Sequence, residues 1–399
     1  MKKIVYIILL FIPTCVFASF YPDLHFKSAI LYDVTDDKIL YEENSSAKSD
    51  IASLTKIMTT ITAIENIEDL NTYVKYTDSM QSLVRWDASV AGLKVGDQVT
   101  YKDLLYASIL PSGADATTAL AISTSGNIST FVSRMNDTAA RIGMKNSHFI
   151  NVTGLDVEGH YSTAEDVLIL LKYALKNELF KDIYTTKTYT LSNNLFVKST
   201  LFAYHTSRDT SRIIGSKTGF TAGAGRCISA YFKSSDHEFL LITLGAPNDQ
   251  NFYHILDALD IIDFVDKNYK YYPIIRKNTV IETIPVKNSK IDYYTLQTNE
   301  EFTKFLPSNY DSNHIKIEYT GLEELSFKNK PNDFLGTAKY YYEEELVGKE
   351  DFYLEEKIEI DIFKTFYSYR FPIIIILLCT TFIIIIFINI KKAKIRLKR

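Results

Sequence analysis

Ser53 and Lys56 are the two residues of this sequence whose types and spacing best suit nucleophilic chemistry. They lie in the run 50–64, where apolar residues recur at helical spacing, so the pattern predicts a helix with one buried stripe. Residues three apart share a helix face, which would set the lysine amine beside the serine hydroxyl. A lysine whose pKa is lowered by burial or by another cation can accept the proton of a serine that attacks a carbonyl group.

A second serine and lysine at the same spacing, Ser45 and Lys48, occur just upstream. They lie in a polar stretch without apolar periodicity, which indicates solvated surface rather than a helix face. A single pair of this kind is therefore weak evidence for catalysis, and the interpretation depends on two later stretches of the chain.

The first of these stretches contains Ser112, and the second contains Lys217, Thr218 and Gly219. Ser112 follows an apolar helical segment, at a turn where a hydroxyl could relay a proton to a leaving group; a helix N-cap is the alternative interpretation. The second stretch lies in a predicted strand, where lysine and threonine suit a substrate carboxylate and glycine permits a close approach. A surface lysine before a turn is the alternative there.

The elements that must position these residues indicate a mixed α/β domain over residues 19–268, with an antiparallel sheet. Predicted strands come first, predicted helices follow, and strands return around Lys217. The strands are 28–33, 38–41, 211–220, 227–233 and 239–246, and the helices are 100–110, 115–122, 128–143, 162–175 and 252–268. Residues 269–365 contain alternating runs that predict a smaller all-β domain.

Both ends of the sequence indicate export and membrane attachment. Residues 1–18 combine two lysines, an apolar stretch and a small-residue cleavage pattern, which predicts a signal peptide; an uncleaved anchor is the alternative. Residues 371–390 are almost wholly apolar and precede the basic run 391–399, which predicts one transmembrane helix with a cytoplasmic tail. We therefore expect a single-pass protein of the cell membrane, held in the lipid bilayer by this helix, with its body outside the cytoplasm.

Composition excludes several other classes of function. A net charge of −4 over 399 residues gives no indication of nucleic acid as a partner. Of the three cysteines only Cys227 lies in the body, so no internal disulfide is expected. The seven histidines show no metal-ligand spacing, and neither a metal site nor another cofactor is predicted.

Taken together and in this order, the three motifs resemble those of penicillin-binding proteins and class A β-lactamases. Longer stretches are similar to one branch, the D-alanyl-D-alanine carboxypeptidases, which are the low-molecular-mass serine-type penicillin-binding proteins. The resemblance implies a penicillin-binding or β-lactamase-like fold, in which an antiparallel sheet flanked by helices adjoins a helical part. The similarity covers residues 28–266, and its clearest stretches are 52–59, 110–116, 143–149, 153–156, 159–164 and 215–221.

The resemblance also implies an acyl-enzyme mechanism that removes the terminal D-alanine from peptidoglycan stem pentapeptides without a cofactor. Ser53 would attack the carbonyl carbon, and Lys56 would accept its proton. Lys217 would keep the pKa of Lys56 low, and Ser112 would pass a proton to the leaving D-alanine.

For substrate binding, the resemblance assigns the terminal carboxylate to Lys217 and Thr218, which precede Gly219. The backbone N–H groups of Ser53 and Phe220 would form the oxyanion hole. β-Lactam antibiotics are expected to bind at the same place as inhibitors.

Two departures from the family pattern bear on activity. Position 114 is alanine where the family usually has asparagine, and a literal Ser-Gly-Asn at 125–127 falls in a predicted loop. The family often has an arginine after the last sheet strand, but the stretch 245–254 has none. His254 is predicted to be an exposed residue at a helix start, and the alternative is that it substitutes for this arginine. A catalytically weak or silent penicillin-binding and wall-binding protein is therefore the alternative. A β-lactamase is disfavoured because no Glu-x-x-Leu-Asn motif follows Ser112.

Overall fold

The computed structural model describes residues 24–203, 208–249 and 251–396, so the predicted signal peptide 1–18 lies outside the described residues. The chain divides into two compact units, Met1–Lys267 and Asn268–Arg399. Each unit has its own hydrophobic core.

The first unit mixes helices and strands, as the sequence predicted. Its strands are β1 Ser28–Asp33, β2 Lys38–Glu43, β3 Tyr73–Lys75, β4 Gln98–Thr100, β5 Thr188–Thr190, β6 Phe196–Lys198, β7 Ile213–Thr221, β8 Gly225–Ser234 and β9 His237–Ala246. Its helices are α1 Thr55–Ile64, α2 Asp78–Gln81, α3 Tyr101–Ile109, α4 Ala114–Ser125, α5 Ile128–Ile142, α6 Ala164–Ala174, α7 Glu178–Thr185 and α8 Tyr253–Asn268.

Five of these strands form one antiparallel sheet in the order β2-β1-β9-β8-β7. The outer position of β7 leaves one of its edges without a neighbouring strand in this sheet, and that edge faces the turn before α1. Every residue of β9 except Glu238 is buried, because α6 and other elements of the first unit cover the sheet. The sheet is therefore part of the core, and the free edge of β7 is available to a functional site.

Helix α1 is more deeply buried than the predicted single apolar stripe implies. Every residue from Thr55 to Ala63 is buried, because the helix lies among α3, α4, α5 and α6. Burial of its polar positions is tolerated because they are hydrogen-bonded. The Thr59 hydroxyl donates to the Val152 carbonyl at 2.9 Å, and the Thr60 hydroxyl pairs with Ser108 at 2.8 Å. The helix that carries Lys56 is thus held rigidly on all sides.

The second unit is rich in β-structure, as predicted. Its strands are β10 Tyr269–Ile275, β11 Val280–Lys287, β12 Tyr293–Gln297, β13 Phe302–Pro307, β14 Ile315–Gly321, β15 Leu325–Ser326, β16 Phe334–Tyr342 and β17 Glu345–Tyr353. They form small sheets in the orders β10-β13, β12-β11-β15 and β14-β16-β17, antiparallel except where β11 meets β15. Ala338, Tyr340 and Tyr342 alternate along β16 into the core of this unit, and Leu335 joins them near the start of the strand.

A long helix, α9 Ile362–Arg396, follows the β-rich part of the second unit. It bends by 54° between Ile362–Arg370 and Ile374–Ile388. Pro372 falls in the break, and its missing backbone N–H removes a helical hydrogen bond. Among the described residues no single helix is long and apolar enough to cross a membrane, but this bent pair meets the requirement by length and composition. The predicted span 371–390 thus stays a prediction.

Candidate active site

Ser53 lies in a short 3-10 turn, Ala52–Leu54, and Lys56 lies in the first turn of the α-helix that follows. The Nζ atom of Lys56 is 2.8 Å from the Oγ atom of Ser53. The same nitrogen donates to the Thr153 carbonyl oxygen at 2.8 Å. Lys56 is only 2% exposed, whereas Ser53 is partly open to solvent. The arrangement sets a buried amine beside an accessible hydroxyl.

Burial lowers the pKa of Lys56 to about 7, and the negative charge of Asp115 opposes this shift. Burial first, and then the charge of Lys56, holds the pKa of Lys217 well below its ordinary value. Two buried ammonium groups so placed are not both stable, so at least one of the amines is neutral and able to accept a proton.

Ser112 pairs with Lys217, the second buried lysine. Lys217 Nζ donates to Ser112 Oγ at 2.9 Å and to the Thr218 carbonyl oxygen at 2.6 Å. Ser112 has φ +63°, a left-handed conformation that is uncommon for a residue with a side chain. The N-cap interpretation does not hold, because Gly113 is the N-cap of α4 and no side chain caps that helix. The Ser112 hydroxyl therefore contacts Lys217 and does not cap the N-terminus of α4.

Asp115 anchors the turn that presents Ser112, and the sequence analysis missed it. Its carboxylate accepts the backbone N–H groups of Ala91, Gly92 and Leu93 at 2.8, 2.9 and 3.0 Å. An ionised carboxylate that satisfies several backbone donors holds a loop firmly. The aspartate that follows Ser112 by three positions was visible in the sequence, but its partners lie more than 20 residues upstream and share no motif with it.

Strand β7 forms the opposite wall of the site through Lys217, Thr218 and Gly219. The Thr218 hydroxyl pairs with the Thr200 hydroxyl at 2.7 Å. A Cβ atom added to Gly219 would lie 3.0 Å from the amide nitrogen of Ser53, which is closer than almost all natural Cβ contacts. Only glycine thus lets this strand approach the Ser53 turn so closely. The Phe220 side chain is 42% exposed, and the Arg226 guanidinium lies 5.3 Å from the centre of its ring.

The structure shows where the residues lie at the two positions that depart from the family pattern. Ala114 is fully buried, and its backbone N–H donates to the Ser89 carbonyl at 2.7 Å. The literal Ser-Gly-Asn does not enter the site, because Asn127 caps α5 by accepting the Thr130 N–H at 2.8 Å. The prediction that His254 is exposed is wrong: the residue is fully buried in α8, and burial lowers its pKa to about 3.

One group of side chains among the described residues has the spacing of metal ligands, namely Asp33, Asp36 and His237. The Asp33 carboxylate already accepts the N–H groups of Thr35 and Asp36, and it also meets the His237 ring at 2.6 Å. These contacts close the β1–β2 turn against β9, which is a structural role.

The amino-acid sequence was then compared with known proteins. Residues 16–248 match the family described as D-alanyl-D-alanine carboxypeptidase, and residues 269–360 match the C-terminal domain of penicillin-binding protein 5. The chain belongs to the D-alanyl-D-alanine carboxypeptidase family. This confirms the resemblance found in the sequence and the predicted order of a mixed α/β catalytic domain followed by a β-rich domain. As a member of the family, the protein is a serine-type D-Ala-D-Ala carboxypeptidase of the low-molecular-mass penicillin-binding proteins.

Individual relatives of this carboxypeptidase agree with the family assignment. D-alanyl-D-alanine carboxypeptidase DacF of Bacillus subtilis is 30% identical over 353 residues, which cover 85% of this chain and 87% of the relative. DacD of Escherichia coli is 28% identical over 314 residues, or 75% of this chain and 78% of the relative. The crystal structure of penicillin binding protein 6B from Escherichia coli superposes with a TM-score of 0.62 at 25% identity, covering 84% of this chain and 97% of that one.

Proposed function

We propose that Ser53 is the nucleophile with which this carboxypeptidase removes the terminal D-alanine from peptidoglycan stem pentapeptides. The observation that carries the proposal is the 2.8 Å separation between Lys56 Nζ and Ser53 Oγ, with the pKa of Lys56 lowered to about 7. A general base works best when its pKa lies near the working pH. The wall-directed substrate class follows from the family, and β-lactams are expected to acylate the same serine.

In the acylation step, Ser53 Oγ bonds to the carbonyl carbon between the two D-alanines, and its proton passes to neutral Lys56. The carbonyl oxygen becomes an oxyanion that the backbone N–H groups of Ser53 and Phe220 stabilise. Thr218 and protonated Lys217 hold the terminal carboxylate. The close approach of Gly219 to the Ser53 amide supports this pairing of strand and turn.

Collapse of the tetrahedral intermediate breaks the C–N bond, and the Ser112 hydroxyl gives its proton to the leaving nitrogen. Lys217, 2.9 Å away, replaces that proton. In deacylation a water molecule bonds to the ester carbon, its proton returns to Lys217 through Ser112, and Lys56 returns a proton to Ser53 Oγ. Every proton is then back in place, and no cofactor takes part.

Release of D-alanine from a peptide ending in D-Ala-D-Ala tests this assignment. We expect the full chain in detergent to release D-alanine, Ser53→Ala to release none, and Lys56→Met to lose about 100-fold or more in kcat/KM. Ser45→Ala is the matched control, because Ser45 begins the second serine–lysine pair and donates to Glu42 instead. Full activity of Ser53→Ala, or equal losses in Ser53→Ala and Ser45→Ala, would contradict the proposal.

We also propose that residues 1–18 direct export, 19–268 form the catalytic domain, and 371–390 anchor the protein in the cell membrane with 391–399 in the cytoplasm. The apolar side chains of Ile374, Phe382 and Phe387 are exposed, which suits contact with lipid. Basic residues after the apolar stretch favour a cytoplasmic C-terminus. Truncation before Ile362 should move the protein from the membrane fraction to the exported soluble fraction, and continued membrane retention would overturn the anchor.

The β-rich residues 269–365 are proposed to hold the catalytic domain away from the bilayer and towards the wall. Deleting 272–363 and rejoining the anchor should then reduce trimming of wall peptides in cells while leaving hydrolysis of a small soluble peptide intact. Unchanged trimming in cells would count against the spacer role.

A further inference from the structure

The loop 150–160 packs against the turn that carries Ser53. Gly154 in this loop has φ +83°, and a Cβ atom added to it would lie 1.8 Å from the Ala52 carbonyl oxygen. Only a residue without a side chain permits so close a contact. On the same loop, His160 Nε2 lies 2.9 Å from the Thr55 hydroxyl. The loop therefore supports the chain on both sides of the nucleophile.

The amine of Lys56 contacts two acceptors among the described residues, Ser53 Oγ and the Thr153 carbonyl oxygen, each at 2.8 Å. The side chain of Ala114 is a methyl group and supplies no third acceptor. A neutral amine has one lone pair, so fixing one of its N–H groups on the Thr153 carbonyl limits where that lone pair can point. The position of this carbonyl thus determines how well Lys56 faces the Ser53 hydroxyl.

The Asn151 side chain holds the backbone around Thr153. Its Oδ1 atom accepts the N–H of Thr153 at 3.0 Å, the Thr153 hydroxyl at 3.1 Å and the N–H of Gly154 at 2.7 Å. Its Nδ2 atom donates to the Leu155 carbonyl oxygen at 2.8 Å. A single amide thus fixes a turn of five residues, as asparagine side chains commonly do.

One of these contacts bears directly on the general base. The Gly154 N–H and the Thr153 carbonyl belong to the same peptide group, which is planar, so its N–H and its carbonyl point in opposite directions. The 2.7 Å bond from the Gly154 N–H to Asn151 therefore sets the direction in which the carbonyl meets Lys56. A continuous chain of hydrogen bonds runs from Asn151 through this peptide group and Lys56 to Ser53.

We propose that Asn151 is a positioning residue for the general base, because it orients the peptide group whose carbonyl fixes the Lys56 amine opposite Ser53 Oγ. The inference rests on the proposed function, in which Lys56 accepts the Ser53 proton. Asn151 acts through the backbone and not by contact with the substrate. It therefore determines the rate of the chemical steps and not the binding of the terminal carboxylate, which is assigned to Lys217 and Thr218.

The first test is Asn151→Ala, with the full chain in detergent and Nα,Nε-diacetyl-L-Lys-D-Ala-D-Ala as the peptide. We expect kcat for D-alanine release to fall about 10- to 100-fold, because a small displacement of the base removes the aligned geometry that proton transfer needs. KM should stay within about twofold of the wild-type value, because the groups assigned to the carboxylate are unchanged.

Asn136→Ala is the matched control. The Asn136 side chain also ties down this part of the chain, since it accepts the Phe149 N–H at 2.9 Å and donates to the Phe149 carbonyl at 2.8 Å. It makes no hydrogen bond to the peptide group of Thr153 and Gly154 in the part of the chain that the structure describes. We expect this variant to lose stability while its kcat stays within about threefold of wild type.

Asn151→Asp separates orientation from charge. Its carboxylate can still accept the N–H groups of Thr153 and Gly154, so the highest kcat should stay within about threefold of wild type. Its negative charge, two hydrogen bonds away from the Lys56 amine, favours the protonated amine. The acid limb of the pH profile of kcat should therefore move up by about one pH unit.

The other charges around Lys56 stay as they are in this variant. Asp115 and Lys217 are the residues whose charges interact with that of Lys56, and neither is changed. Burial lowers the pKa of His160, which contacts Thr55, to about 4, so its ring is uncharged where the acid limb is measured. A shift of the limb therefore reports the new carboxylate.

Unchanged kcat in Asn151→Ala would overturn the proposal, and so would equal losses in Asn151→Ala and Asn136→Ala, which would reflect stability alone. A loss in Asn151→Ala that appears in KM and not in kcat would assign the residue to substrate binding and would also overturn it. An acid limb that stays in place in Asn151→Asp would contradict the link to Lys56. Failure of the proposed function is distinct, because the wild-type chain itself would then release no D-alanine.

Discussion

The amine nitrogen of Lys217 lies 2.9 Å from the hydroxyl oxygen of Ser112, and both side chains are buried. The lysine comes from an edge strand of the sheet and the serine from the turn between α3 and α4, 105 positions apart in sequence. This contact therefore joins the two halves of the first unit across the site. Each of the two serine hydroxyls in the site has its own buried amine, and only the Ser53–Lys56 pair is local in sequence.

Removing the Ser112 hydroxyl should slow acylation about 100-fold or more, because the leaving nitrogen loses its proton donor. Ser112 has φ +63°, so Ser112→Ala keeps the strain of this conformation, whereas Ser112→Gly relieves it. We expect similar losses of kcat/KM in both variants, measured by D-alanine release. A Ser112→Gly variant with near wild-type activity would assign the residue a backbone role instead.

Gly219→Ala should lower kcat/KM by about 100-fold, because its new Cβ would lie 3.0 Å from both the Ser53 amide nitrogen and the Ala52 Cβ. Both neighbours belong to a buried turn, so the strand must shift and the oxyanion hole with it. Ser216→Ala, in the same strand, is the control and should remain active. Wild-type rates of penicillin acylation in Gly219→Ala would show that the close approach is not needed.

The pH dependence of acylation should report the titration of Lys56. Its pKa is lowered to about 7, and only the neutral amine can accept the Ser53 proton. The rate constant for benzylpenicillin acylation should therefore fall about tenfold per pH unit below pH 7, and it should fall again at high pH, where Lys217 loses the proton that the leaving nitrogen needs. A profile that keeps rising towards pH 10 would mean that Lys56 has an ordinary pKa and is protonated at neutral pH.

The buried Lys56 side chain should also lower the free energy of unfolding of the protein. Because its folded pKa is about 7 and its ordinary value is 10.5, the unfolded chain binds a proton between these values that the folded chain does not. The free energy of unfolding therefore rises with pH across this window, and the unfavourable contribution of Lys56 is fully present below pH 7. Lys56→Met should stabilise the protein by about 1–3 kcal/mol at pH 6.

The stability difference should shrink as the pH approaches 10, and the loss of the donor to the Thr153 carbonyl reduces it by about 1 kcal/mol throughout. Denaturant unfolding followed by circular dichroism at pH 6 and pH 10 measures both effects. A Lys56→Met variant that is less stable than wild type at pH 6 would contradict the burial argument.

The sequence predicted those parts of the site that depend on local geometry. The separation of Ser53 from Lys56 follows from one turn of helix, and the strand that carries Lys217 follows from a strand-like run bounded by a turn. The helix predicted from residue 100 also forms, because Thr100 caps α3 and shares a capping box with Asp103. Family resemblance supplied the relation between the distant motifs, which periodicity alone does not contain.

What the sequence did not predict depends on contacts between distant segments. Thr200 pairs with Thr218 across 18 positions from a 3-10 turn that has no apolar period, and Asp115 binds amides of a preceding loop. The helix predicted from residue 162 begins at Ala164, because Thr163 caps α6 by accepting the Asp166 N–H. His254 was placed on the surface because it lies at the start of a predicted helix, but the packing of α8 buries it.

Mapping the penicilloyl adduct tests the central claim most directly. The full chain would be treated with benzylpenicillin, and the modified residue would be identified by peptide mass spectrometry. We predict a single adduct on Ser53 that is absent from Ser53→Ala and retained in Ser45→Ala. An adduct on any other residue, or an unchanged adduct in Ser53→Ala, would contradict the assignment of Ser53 as the nucleophile.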